Sequence, residues 1–175
     1  MMAAFVLSGL LVGSGAQARG WIWISQAAGR NPVAAIGDGR GSSVSIICVT
    51  GRDPVYVLDI RGPANGLKPG KGVKAVIEGG RRAPFRLDRV TLEAGGRARL
   101  ISRAGYRGSI GDQSGTLEAI ESIRTAKGPI RISSGSFRFT VSSFGVASAM
   151  APLVRKCGDL KMMIRRAEGR EGELN

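Results

Sequence analysis

The sequence predicts a single α+β domain: a mostly antiparallel sheet, meander or sandwich-like, with one inserted helix and a C-terminal helix linked to the sheet by a disulfide. Three observations carry this expectation. Up to residue 101 the chain reads as short β-rich runs separated by glycine, proline and asparagine clusters. Beyond residue 116 the apolar period changes from two to three or four. The only two cysteines, Cys48 and Cys157, stand 109 positions apart, one in a β-rich run and one in a helical run. A length of 175 residues allows one domain with a real core and is too short for two independent ones.

The elements follow in chain order. Trp21-Ile22-Trp23-Ile24 is β-rich, and Asn31-Pro32 is expected to break the chain after it. Gly37-Asp38-Gly39-Arg40-Gly41 is a turn-rich loop. Over 43–50, Val44, Ile46 and Cys48 share one face and Ile47 and Val49 the other, which is the period of a strand. Gly51-Arg52-Asp53-Pro54 suits a hairpin connection into a second run at 55–60. Residues 62–72, with Pro63, Asn65-Gly66, Pro69 and Gly70, form a loop. A strand over 73–78 turns at Gly79-Gly80 into one over 82–90, where Phe85 and Leu87 face one way and Arg86 and Asp88 the other. Gly95-Gly96 turns into 97–101.

The inserted helix is expected over 116–127. Leu117, Ile120 and Ile123 recur at helical spacing, acids sit early and bases late, and Gly128-Pro129 stops it. A hairpin of 130–133 and 137–141 follows, turning around Ser134-Gly135. Ser142 or Ser143 then caps a last helix in which Val146, Met150, Leu153 or Val154, and Cys157 share a face. Pro152 kinks that helix or begins its second segment, and Gly158 ends it. Residues 159–175 read as a frayed, charged tail in which only Leu160, Met162, Met163 and Ile164 can dock.

Residues 1–18 carry no charge. An apolar stretch, Ala3-Ala4-Phe5-Val6-Leu7 through Leu10-Leu11-Val12, leads to small residues ending in Ala16-Gln17-Ala18. That order is a secretory signal peptide cleaved after Ala18, although no Lys or Arg precedes the apolar run. The alternatives are an uncleaved anchor, for which the run is short of the roughly 20 residues a span needs, and a buried amino-terminal segment. The expected organisation is therefore a leader at 1–18, one domain at 19–158 and the tail at 159–175, with a periplasmic or secreted location. In an oxidising compartment the single cysteine pair is expected to form a structural bridge. Reactive thiols are the alternative, but redox pairs are usually close in sequence, as in C-x-x-C.

The chain has no histidine. This removes Ser-His-Asp and Cys-His catalysis, His-ligated zinc or haem, and any imidazole switch. Two cysteines cannot build a four-thiolate metal site. Gly66-Leu67-Lys68-Pro69-Gly70-Lys71-Gly72 lacks the spacing of a phosphate-binding loop and no strong helix follows it. The loop at 37–41 precedes a strand, where a dinucleotide fingerprint would precede a helix. Gly111-Asp112-Gln113-Ser114-Gly115 is not a nucleophile elbow. Asp53 and Asp59 are a strand-region pair of carboxylates, and nothing marks them as an acid/base couple. No enzyme activity, metal or cofactor is expected.

Charge is the positive signal, with 26 Lys+Arg against 13 Asp+Glu. Residues 81–107 hold Arg81, Arg82, Arg86, Arg89, Arg97, Arg99, Arg103 and Arg107 against only Asp88 and Glu93. On a strand Arg97, Arg99 and Arg103 project to one side as a solvated cationic face, and these eight arginines are the candidate anion- or partner-binding residues. Guanidinium suits carboxylate and phosphate through its planar fork of donors. Nucleic acid is disfavoured, because Tyr106 is the only aromatic in 86–107 and no helix-turn-helix or RNP-like string occurs. A surface that is basic without a specific partner is the plain alternative.

Trp21-x-Trp23, Ser45-Ile46-Ile47-Cys48, Val55-Tyr56-Val57, Phe137-x-Phe139-x-Val141, Ser143-Phe144-Gly145 and Ala149-Met150-x-x-Leu153-Val154-x-x-Cys157 follow one another in an order that resembles small exported bacterial proteins. The group is the type VI secretion-associated VasI-like proteins and similar periplasmic families, which pair an early strand cysteine with one closing a terminal helix. The chain departs from them in its missing dibasic leader region and its arginine content. It is similar, less closely, to invasion-associated locus B proteins, which usually carry more cysteines. Neither resemblance implies an enzyme activity or catalytic residues.

The expected function is thus that of an exported, non-enzymatic cell-envelope accessory or binding protein engaging an acidic protein or envelope partner. The alternative is a polyanion-binding module, for nucleic acid, anionic polysaccharide or lipid headgroups, working through the arginine-rich face. A hydrolase without a recognisable motif is the remaining possibility.

Overall fold

The alternation of apolar and polar residues builds two facing sheets. The structure is a computed structural model and describes residues 22–38, 41–105 and 110–169, the side chains of 110–113 excepted. The expected leader, Trp21, Gly39-Arg40, Tyr106, Arg107 and residues 170–175 lie outside the described residues, as do the side chains of Gly111-Asp112-Gln113.

Ten strands and three helices follow in order: β1 (Ile24–Ala28), β2 (Asn31–Gly37), β3 (Ser43–Val49), β4 (Val55–Pro63), β5 (Val73–Glu78), β6 (Arg82–Leu87), β7 (Arg89–Glu93), β8 (Arg97–Gly105), α1 (Ile110–Arg124), β9 (Ile130–Ser134), β10 (Phe137–Val141), α2 (Val146–Cys157) and α3 (Leu160–Ala167). A six-stranded sheet has the order β1-β2-β3-β4-β8-β7 and a four-stranded sheet the order β10-β9-β5-β6. Every pairing is antiparallel. The α+β class expected from the sequence is the one adopted.

Val44, Ile46, Cys48, Tyr56, Leu58, Ile60 and Leu100 of the larger sheet are fully buried, as are Ile77 and Phe137 of the smaller one. They belong to one core. Each large side chain removed from water contributes roughly 1.5–3 kcal/mol before the entropy of ordering it is subtracted. At the centre the layers meet closely, with the Phe137 ring 3.3 Å from where a Cβ on Gly62 would lie. Helix α1 plugs the edge of β6. Leu117, Ile120 and Ile123 point inward as their spacing predicts, and buried serines tie the helix down. Thr116 Oγ1 and Ser102 Oγ are 2.7 Å apart, and Ser102 Oγ donates to the Arg86 carbonyl at 2.9 Å. Gly80 N donates to the Ser122 carbonyl at 2.8 Å.

Cys48 and Cys157 are bonded, with Cα atoms 5.8 Å apart, so the disulfide links β3 to the last residue of α2. The buried face of α2 is Val146, Ala149, Met150, Leu153 and Cys157, and the helix runs through Pro152.

Several local expectations are corrected. Asn31-Pro32 opens β2 and does not break the chain; the reversal falls earlier, at Gly29 (φ +65°). The strand expected over 82–90 is two strands in different sheets. Ala83, Phe85 and Leu87 keep a period of two, but Val90 comes three residues after Leu87, so no flat strand can bury both, and the chain changes sheet at Asp88. Helix α1 begins at Ile110 and ends at Arg124, where Thr125 Oγ1 donates to the Glu121 carbonyl. Neither Ser142 nor Ser143 caps α2 with its side chain. Gly145 (φ +81°) occupies that position, and the Ser142 hydroxyl accepts from Phe144 N. A Cβ there would lie 3.2 Å from the Trp23 carbonyl, because Trp23 N and Nε1 donate to the carbonyls of Phe144 and Ser142. Residues 160–167 of the expected frayed tail are helix α3, capped by the Asp159 carboxylate on Lys161 N and Met162 N. Leu160, Met163 and Ile164 are buried against the core, because the i, i+3, i+4 spacing lets three apolar side chains dock while the charges face water.

Candidate partner-binding surface

Because Cys48, Tyr56, Leu58 and Leu100 point into the core, the period of two sends their neighbours to the outer face of the six-stranded sheet. The register sets these outward residues in rows. Ser45, Asp59, Ile101 and Arg89 form one, and Ile47, Val57 and Arg103 the next. Ser43, Arg61, Arg99 and Thr91 form a third, with Arg97 opposite Glu93 beyond it. Helices α1 and α2 attach to the opposite side, through Ser102 and Cys48.

Asp59 is the anchor of this face and is itself 7% exposed. Arg99 grips it bidentately, Nε to Oδ1 at 3.1 Å and Nη2 to Oδ2 at 2.6 Å, while Arg61 Nε lies 3.8 Å from Oδ1. The hydrogen bonds to Asp59 hold the Arg99 guanidinium above its ordinary value, so it is a permanent cation. Arg97 lies against Gly41 (φ +95°), where a Cβ would fall inside its guanidinium.

The structure does not gather the eight predicted arginines on one face. Arg89, Arg97, Arg99 and Arg103 share the outer face of the larger sheet. Arg82 and Arg86 lie on β6 of the smaller sheet, where Arg82 is 3.5 Å from Glu78. Arg81 sits in the β5–β6 turn, 3.6 Å from Glu118, beside a groove of about 510 Å³ that Lys161, Arg165 and Glu168 also line. Arg107 lies outside the described residues. The change of sheet at Asp88 is what divides them.

Sequence reasoning missed Arg61, and it left Asp59 only as a carboxylate without a chemical partner. Both share a parity on β4, a signal the strand pattern contained. Asp53 is exposed in the β3–β4 turn, and Asp59 is occupied by arginines. The loop expected over 62–72 begins only at 64, because Gly62 and Pro63 still pair with Ala98 and Arg97 in β4, and it is held to β7 by a bridge between Gly70 and Val90. Among the described residues no three Cys, Asp or Glu side chains group closely enough to hold a metal ion. No described helix is long and apolar enough to cross a membrane. No protein-family model, curated protein or solved structure matches the chain.

Proposed function

We propose that this chain is an exported, non-enzymatic accessory protein of the cell envelope that binds an acidic partner through the outer face of its six-stranded sheet. The observation that carries this reading is the set of Arg61, Arg89, Arg97, Arg99 and Arg103 on one open face whose described carboxylates are Asp59 and Glu93. Planar guanidinium groups fixed by neighbours favour carboxylate recognition. The charge-free leader pattern and a disulfide, which persists in oxidising compartments, support an extracytoplasmic setting. The resemblance to VasI-like exported proteins points the same way. A polyanion-binding module is the second reading, favoured by Arg89 and Arg103, which form no ion pair among the described residues.

Affinity capture from the envelope of the producing cell, beside salt elution from heparin and from phosphatidylglycerol vesicles, tests the proposal. Arg89→Ser with Arg103→Ser is expected to lose the captured partner and to elute at lower salt. Unchanged capture and unchanged elution would remove the arginine face from the function.

A further inference from the structure

The outer face is not uniformly cationic. Beside the arginines of β4, β7 and β8 the same surface carries Ile24 on β1, Ile47 and Val49 on β3, Val55 and Val57 on β4, and Ile101 on β8. Ile24 is 54% and Val49 40% exposed, and the other four are half-buried. The two kinds of residue interleave, since Val57 stands between Ile47 and Arg103, and Ile101 between Asp59 and Arg89. Apolar side chains set beside arginine on one surface are what a protein–protein contact uses.

Charge decides the occupant. A second copy of this chain would bring five more arginines onto the first five, with two carboxylates on each side. A purely polar polyanion would neutralise the arginines and leave the apolar side chains in water. A bilayer calls for protruding apolar or aromatic anchors, and the outward positions of β3, β4 and β8 hold no aromatic residue. A protein segment with an apolar ridge and flanking carboxylates satisfies both parts at once.

Resting on the binding function proposed above, we propose that this face docks an acidic protein partner whose apolar ridge covers the Val49–Val57–Ile101 patch while its Asp and Glu side chains meet Arg61 and Arg103. Asp59 pre-sets Arg99 and Arg61, so less side-chain freedom is lost when the partner arrives.

The test is photocrosslinking in the producing cell with a benzophenone amino acid at position 49 or, separately, 57, and at position 133 of the smaller sheet as control. The absence of free thiols in each purified protein verifies the fold. The expected result is a discrete protein adduct from 49 and 57, absent from 133, whose contact peptide carries Asp or Glu. Arg61→Ser with Arg103→Ser is expected to reduce it at least five-fold. A lipid or polysaccharide adduct, or a protein adduct indifferent to the arginines, overturns the inference and leaves the broader binding function standing. No adduct above control overturns it as well. Should heparin elution and envelope capture also be unchanged in the Arg89→Ser, Arg103→Ser protein, the binding function falls with it.

Discussion

The Tyr56 hydroxyl donates to the Gly158 carbonyl at 2.9 Å, directly beside the covalent link between sheet and helix. Tyr56 stands opposite Cys48 in the β3–β4 register and Gly158 follows Cys157, so two adjacent strand residues hold two adjacent residues at the end of α2. Burial, with Asp159 nearby, pushes the phenol well above its ordinary range and keeps it a donor.

A raised phenol value contributes stability that is fully present below the unfolded phenol's ordinary value of about 10 and is lost as pH rises beyond it. Tyr56→Phe is expected to lose about 1 kcal/mol at neutral pH and to soften the alkaline decline. Denaturant midpoints between pH 8 and 11 check this, and an identical decline in both proteins would assign it to other groups.

With its cysteines 109 positions apart, the disulfide restricts the unfolded chain strongly. The chain-entropy account gives about 4–5 kcal/mol as an upper value. Purified oxidised protein should show no labelled thiol, and Cys48→Ala with Cys157→Ala should lower the denaturant midpoint without abolishing strand content. Two labelled thiols in the absence of reductant would contradict the structure.

Asp59 and Arg99 form the tightest pair on the outer face. Arg99 is 36% exposed, so screening keeps the coupling modest, about 1 kcal/mol in a double-mutant cycle of Asp59→Ala and Arg99→Ala. Asp59→Ala alone should cost more than Arg99→Ala, because it leaves Arg61 and Arg99 facing each other without a counter-ion. The reverse order would show that Asp59 is not the anchor.

Glycine pairs at turns differ in what they do. A Cβ on Gly79 would lie 2.6 Å from the Ser122 carbonyl oxygen, a backbone atom of α1. Gly79→Ala is expected to cost about 1–3 kcal/mol through forced separation of helix and turn. Gly128 has nothing within 4 Å, and Gly128→Ala should stay within about 0.5 kcal/mol. Thermal melts of the two proteins decide it.

The strands whose alternation is uninterrupted were legible. Val44, Ile46 and Cys48 point inward together, and the connections at 51–54 and 95–96 lie where their turn residues place them. The start of α1 was not, because 110–115 contains two glycines, poor helix formers, and little apolar periodicity. For α3 the signal was present as Asp159 before Leu160, Met163 and Ile164, but abundant charge obscured it. Arg97, Arg99 and Arg103 could be placed on one side from spacing alone. Their partners Asp59 and Arg61 could not, since β4 pairs with β8 only after the chain has built β5, β6 and β7 in between.

That same distance between Cys48 and Cys157 orders events in time. A chain emerging amino-terminus first, from a ribosome or a translocation channel, presents the Cys48 thiol 109 residues before its partner. Strands β4 to β10 emerge in the interval, after β1 and β2. Oxidation of the pair therefore follows the emergence of all ten described strands. Until then Cys48 has no thiol of its own chain to meet, and the one mispairing open to it is with another molecule.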